Sequence, residues 1–255
     1  MTEHVVDLNA DLGEGYGPYR VGDDAAMLAI VTSANVACGF HGGDPEIMHA
    51  TFLRARENNV AVGAHPGFPD LWGFGRRIMP FSPEEIERQV AYQLGAAWAM
   101  ARHAGHRISY VKPHGALANL TERDARIADA VIDAVTAIDP GLPVLAIAFS
   151  QLELRARARG LPVLTEIFAD RGYDEEGHLL SRALPGAVLH DSTHAARRAV
   201  DMIRAGAIET VSGRHIPTRI DSLCVHGDSP AALDMARAVR AALQHAGIAV
   251  RAPIL

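Results

Sequence analysis

The chain has 255 residues, 49% of them hydrophobic, enough to bury one large core. Its formal net charge of −6, from 30 acidic and 24 basic residues without a dense basic block, argues against a nucleic-acid partner. No apolar run approaches the roughly 20 residues of a membrane span, the N-terminus carries no secretory signature, and Cys38 and Cys224 are too few for a disulfide scaffold; a cytoplasmic protein off the membrane is expected.

In chain order, short apolar runs alternate with amphipathic stretches. Val5–Leu8 and Val31–Cys38 read as strands, and Pro45–Asn59 as the helix after them, with Asp44 as its cap and proline at its first position. Val60–Ala64 is the third strand, and Ser82-Pro83-Glu84-Glu85 is a capping box opening a helix over Pro83–Ala104. Ile108–Val111, a helix over Glu122–Ile138, Val144–Phe149 and Val163–Phe168 continue the alternation. A helix over Ser192–Ala205, a strand at Leu223–Val225 and a helix over Pro230–Ala246 complete it. Gly105, Gly160, Gly206 and Gly247 stand where helices end. Asp174–Arg182 and Glu209–Ile220 read as small antiparallel additions. About seven strands, apolar throughout, suit a parallel sheet covered on both faces. A doubly wound open sheet and a closed barrel both fit, and the barrel is favoured: one α/β-barrel domain over residues 1–255.

The residues just after each strand carry the chemistry. The first strand runs into Asn9, Asp11 and Glu14, the second into Cys38-Gly39-Phe40-His41-Gly42-Gly43-Asp44, and the third into His65-Pro66-Gly67 and Asp70. Lys112-Pro113-His114-Gly115, Ala169-Asp170-Arg171 and His226-Gly227-Asp228 end later strands. A barrel gathers all these ends at one face, where such folds place their catalytic groups. His41, His65, His114 and His226 each sit beside glycine or proline in a tight loop, a poor setting for mere packing. Lys112 directly after a buried strand demands a carboxylate or an anionic ligand nearby. Arg76 and Arg77 read either as a solvated face or as a lid that binds anions. Asp44, Ser150 and Asp228 read equally well as turn formers or helix caps. His190 and His194 imitate a metal-binding spacing, but Asp191 or Ser192 more naturally caps a helix there. The chain has no GxxxxGK[ST], GxSxG, GxGxxG or CxxC motif, so nucleotide-loop, serine-hydrolase and redox chemistries lack support.

The runs DLNADLGEG (7–15), SANVACGFHGGDP (33–45), GAHPGFPDLWGFGRR (63–77), KPHGALAN (112–119), EIFADRGYDEEGHLLSR (166–182) and CVHGD (224–228) closely resemble the LamB/YcsF family of 5-oxoprolinase A subunits. The resemblance covers essentially the whole chain. It implies ATP-dependent opening of the lactam 5-oxoproline to L-glutamate with partner subunits B and C, on a barrel related to glycoside hydrolase and polysaccharide deacetylase folds. Within the matched runs the catalytic candidates are Asp11, His41, His65, Lys112, His114, Asp170, Arg171 and His226. The substrate-binding candidates are Asn9, Glu14, Asp70, Arg76, Arg77, Asn119, Glu166, Arg182 and Asp228. One departure stands out: Ala118 occupies a position where the family is expected to carry an aromatic residue, usually tyrosine.

Opening a resonance-stabilised lactam requires an activated carbonyl oxygen, a positioned water and a proton for the leaving nitrogen. Asp11 or a histidine is expected to activate water, Lys112 and Arg171 to stabilise developing oxyanion or phosphate charge, and His114 or His226 to protonate nitrogen. Without a nucleotide loop, ATP is expected to be used mainly by the partners or at a shared interface. A metal-dependent hydrolase is the main rival, with Asp11, His65 and His114 holding a divalent ion. A non-catalytic substrate-binding component is another. A glycosidase ranks last, since aromatic residues make up only 5% of the chain.

Overall fold

A computed structural model describes residues 4–225 and 231–253 of the chain. The expected sites His226 and Asp228 lie outside them. The elements in order are β1 (Val5–Leu12), α1 (Asp24–Leu28), β2 (Ser33–Ala37), α2 (Pro45–Glu57), β3 (Ala61–His65), α3 (Pro83–His103), β4 (Ile108–Val111), α4 (Gly115–Arg123) and α5 (Ala125–Ile138). They continue as β5 (Val144–Ile147), α6 (Gln151–Ala158), β6 (Val163–Phe168), α7 (Ser192–Ala205), β7 (Ala207–Glu209), β8 (His215–Pro217), β9 (Ser222–Cys224), α8 (Ala232–His245) and β10 (Ala249–Val250).

The strands β1, β2, β3, β4, β5, β6 and β9 pair in parallel, and β9 returns to β1, so the sheet closes into a barrel. The open-sheet alternative is thereby excluded. β10 adds a short parallel pairing to the start of β1. The hairpin expected near residue 213 is β7 against β8, antiparallel, with Ile208 opposite Ile216. The other expected hairpin is reduced to a single bridge between Tyr173 and Leu179. Apolar faces of the helices pack on the outside of the barrel strands in one continuous cluster that includes Phe52, Leu94, Val131 and Val239.

The capping signals are realised. Asp44 accepts hydrogen bonds from the backbone N–H of Glu46 and Ile47, Ser82 and Glu85 form the reciprocal capping box, and Ser150 caps α6. Asp191 caps α7 through Thr193 and His194, which settles the reading of His190 and His194 in favour of a cap. Three expectations are corrected. The helix expected over Glu122–Ile138 begins at Ala125, because Asp124 leaves the helical conformation and caps α5 through Arg126, and Glu122 and Arg123 instead end a separate, unexpected helix, α4. The helices α1 and α6 are additional to those expected; at 5 and 8 residues they are too short for a clear apolar period. β1 runs on to Leu12, so Asn9 and Asp11 point from within a strand rather than from the loop after it.

Candidate active site

The barrel interior is polar along one line. Asn9, Asn35, Tyr110, Lys112, Glu166 and Ser222 all come from strands or strand ends and are all nearly inaccessible to solvent. Tyr110 can turn inward because Gly63, its neighbour in the β3–β4 register, has no side chain; a Cβ there would lie 2.2 Å from the tyrosine ring. The phenol donates to Asn35 Oδ1 (2.7 Å), which fixes the amide so that Asn35 Nδ2 donates to Asn9 Oδ1 (2.7 Å) and Asp11 Oδ1 (2.8 Å). Asn9 Nδ2 in turn donates to Glu166 Oε1 (2.9 Å) and Ser222 Oγ (2.7 Å).

Lys112 meets the expectation of a nearby carboxylate twice over. Its ammonium lies 3.0 Å from Asp11 Oδ1 and 2.8 Å from Glu166 Oε1, with Asn9 Oδ1 and Cys224 Sγ both at 3.3 Å. Burial alone would discharge this lysine, but Asp11 and Glu166 outweigh it and hold its pKa well above the usual range. Burial likewise works against the charge on Asp11, and the Lys112 ammonium overcomes it, keeping that carboxyl well below the ordinary carboxylate range. All three ammonium protons of Lys112 face protein acceptors, so oxyanion stabilisation by this residue would require one of the two longer contacts to yield.

Beside this network stands a histidine cluster. His65 Nδ1 lies 2.7 Å from the Lys112 carbonyl, and His114 Nε2 lies 2.8 Å from the Phe74 carbonyl. A carbonyl only accepts, so both of those nitrogens carry the hydrogen. In neutral rings the opposite nitrogens are then bare lone pairs, and these face each other: His65 Nε2 and His114 Nδ1 are 3.0 Å apart. Glu14 Oε1 lies 3.3 Å from His114 Nδ1, and Asp11 Oδ1 lies 3.5 Å from His65 Nε2. His41 stacks flat on His114 at 3.5 Å, approaches Glu14 through Nε2 at 3.2 Å, and leaves Nδ1 unpartnered among the described residues. Burial, then the neighbouring His65, depress His114 to about 3; burial and His114 lower His41 well below its usual value.

The loop after β3 closes over this cluster. Phe74 adopts a left-handed conformation at φ 54°, and its ring meets those of His41 and His114 edge-on. Gly75 follows at φ 63° with its backbone so close that a Cβ would lie 2.7 Å from the His41 side chain. Asp70 and Arg77 pair with each other, Arg77 Nε donating at 3.0 Å, and brace the loop; Arg76 lies over the Phe74 ring. Trp72 at the tip is 98% exposed.

A cavity of about 800 Å³ opens above both clusters. Of the expected site residues it is lined by Asp11, His65, Arg76, Lys112, His114, Asn119, Glu166, Arg171 and Arg182. Asn9, Glu14 and His41 support the lining residues from behind, while Asp70 and Arg77 are engaged with each other and Asp170 does not line it. Arg171 donates to the Ala187 and Leu180 carbonyls at 3.0 and 2.6 Å; burial and the nearby Arg182 lower its pKa. Ala118 lies in the cavity wall. Asn35, Tyr110 and Ser222 join the site without having been expected in it. The signal that could have found them is Asn35, the one amide inside the apolar run Val31–Cys38.

The 5-oxoprolinase A subunit of Gluconobacter oxydans is 64% identical over 252 residues, covering 99% of each chain. That of Azorhizobium caulinodans is 57% identical over 245 residues, covering 96% of this chain and 97% of the relative. The crystal structure of a lactam utilization protein from Thermus thermophilus superimposes with a TM-score of 0.93 at 47% identity, covering 97% of this chain and 99% of that one. The T48 deacetylase, with a TM-score of 0.51 at 14% identity over 98% of this chain and 88% of its own, shares the fold alone. The LamB/YcsF family model matches residues 6–254, and the chain belongs to that family.

Proposed function

We propose that the chain is the A component of a 5-oxoprolinase, which opens 5-oxoproline to L-glutamate with the energy of ATP and in assembly with subunits B and C. The observation that carries the reading is the ionised Asp11 at the floor of the cavity, locked through Oδ1 by Lys112 and Asn35, in a chain so close to proteins of that name. Hydrolysis adds water across the ring C–N bond, giving a carboxylate and an amine. Asp11 orients the attacking water and takes its proton through Oδ2, which no hydrogen bond occupies among the described residues. Arg171 and Arg182 at the cavity wall attract the substrate carboxylate or a phosphoryl group. ATP is used chiefly by the partner subunits or at a shared interface, since the chain lacks a nucleotide loop. The buried free thiols of Cys38 and Cys224 support a reducing, cytoplasmic setting, and no helix among the described residues is long and apolar enough to cross a membrane.

A divalent ion fits the histidine cluster. Two lone pairs facing at 3.0 Å, with carboxylates on either side and the outer ring nitrogens tied to backbone carbonyls, are the ligand chemistry such an ion requires. Glu14, His41, His65 and His114 each offer one ligand atom, all within 4.8 Å of one another, and would hold it, with Asp11 Oδ1 beside them at 3.5 Å from His65 Nε2. When bound, it would supply Lewis-acid polarisation of the lactam carbonyl. This favours a metal-assisted hydrolase as the second reading, compatible with the first.

The test is glutamate release from 5-oxoproline, with and without ATP, by the chain alone and with subunits B and C. Release only from the ATP-supplied assembly is expected; an assembly that forms and releases none overturns the substrate assignment.

A further inference from the structure

Glu166 sits near the end of β6, wholly buried, among the residues lining the cavity floor beside Asp11 and Lys112. Its two oxygens are treated very differently. Oε1 accepts from Lys112 Nζ at 2.8 Å and from Asn9 Nδ2 at 2.9 Å, whereas Oε2 has no partner among the described residues. The orientation of Asn9 is not free: its Oδ1 already receives Asn35 Nδ2 and Lys112 Nζ, so its amide nitrogen must face Glu166. The carboxylate is therefore pinned by one oxygen, and the other accepts no hydrogen bond among the described residues. A buried carboxylate oxygen left unpaired is costly. Such an orphan at a binding site calls for a donor from the ligand.

We propose that Glu166 Oε2 receives the ring N–H of the substrate, so that the cavity selects a cyclic amide whose nitrogen carries a hydrogen. The inference rests on the lactam reading above and deepens it. It gives the neighbouring carboxylates, joined by one ammonium, separate tasks: Asp11 serves the water and the carbonyl carbon, and Glu166 holds the nitrogen that leaves. A ring oxygen in place of N–H would put a lone pair against a carboxylate oxygen, which sites built around a hydrogen bond reject strongly.

The variant Glu166→Gln has a dictated geometry. Lys112 and the Asn9 amide nitrogen only donate, so the glutamine oxygen must stay with them and its NH2 must take the place of Oε2. That replaces the acceptor with a donor, mismatched to N–H and matched to a ring oxygen. The experiment compares dissociation constants, by calorimetry on the full chain, for 5-oxoproline and for 5-oxotetrahydrofuran-2-carboxylate, which differ in ring N–H against ring O. The native chain is expected to prefer the lactam by about a hundredfold or more, and Glu166→Gln to shrink that preference at least about tenfold or invert it. Equal constants in the native chain overturn the inference, as does an unchanged preference in a folded Glu166→Gln. The native comparison decides by itself if the variant does not fold. Strong binding of 5-oxoproline without discrimination overturns the inference and leaves the lactam reading intact; binding of neither ligand, with no glutamate release by the assembled enzyme, overturns both.

Discussion

Two polar clusters share the cavity floor, and they are built on opposite principles. Around Lys112, donors and acceptors alternate: ammonium against two carboxylates, amide against amide, phenol against amide oxygen. Around His114, acceptors face acceptors, with two imidazole lone pairs and two carboxylates converging and no hydrogen fixed between them. The first cluster is a frame that holds its shape without help. The second offers its converging acceptors to a cation or a proton, and the frame supplies the fixed reference beside it.

Removing the hub of the frame should have the largest effect. Lys112→Met leaves Asp11 and Glu166 buried without their shared ammonium, an uncompensated pair that should cost about 3–5 kcal/mol. Turnover by the assembled enzyme should fall by roughly two orders of magnitude or more. Thermal melting and glutamate release check the two parts. Near-normal turnover would remove Lys112 from the mechanism.

The frame also contains its own contrast. Asp11 faces a cation and is held low, whereas Asp7, deeper in the barrel, has only the hydroxyls of Thr32, Ser33 and Ser222, and burial lifts it from 3.8 to about 6. Because the folded state keeps this proton longer than the unfolded chain, stability should fall as pH rises from about 4 to about 6 and level off above, by about 3 kcal/mol from this group. Asp7→Asn should flatten that part of the profile. Denaturant melts at a series of pH values test this, and an identical slope in both proteins would remove Asp7 as its source.

Much of the barrel and part of the site are legible in the sequence, for identifiable reasons. Seven strand runs are visible because strands buried on both faces are continuously apolar, and proline after a capping residue marks α2 and α3. The strand-end rule finds His65, Lys112 and His114 together. It cannot show that Asp70 and Arg77 satisfy each other, since loop pairing depends on a turn conformation rather than on spacing. Nor can it find Tyr110, whose inward ring depends on Gly63 one strand away. The resemblance places Asn9 and Glu166 together among the substrate-binding candidates, but only the folded arrangement separates the amide that supports from the carboxylate with an oxygen to spare.

The histidine cluster can be completed deliberately. Titrating zinc into the chain should raise its melting temperature, since a ligand at a hundred times its dissociation constant stabilises by about 2.7 kcal/mol. For a domain near this size that corresponds to roughly 5–10 °C. His114→Ala and His65→Gln should each abolish most of the shift. A native melt indifferent to zinc, nickel and manganese would mean that protons, not a metal, bridge the lone pairs.

The smallest expected effect tests how far the frame reaches. Tyr110→Phe keeps the ring over Gly63 and removes only the hydroxyl that donates to Asn35 Oδ1. The lost bond strands a buried amide oxygen, which should cost about 1–3 kcal/mol. More telling is the second consequence: with nothing fixing its orientation, Asn35 can turn its oxygen toward Asp11 and Asn9, replacing two donors by a repulsion. A purely structural role predicts a lower melting temperature with the turnover number unchanged. A frame that holds Asp11 in place predicts that kcat falls as well, by about tenfold if the loss of one such hydrogen bond reaches the transition state, with KM for 5-oxoproline little moved. Asn35→Asp, which cannot donate to Asp11 at all, should then lose more of kcat than Tyr110→Phe, and the reverse order would mean that the tyrosine acts on the site by some route other than this amide.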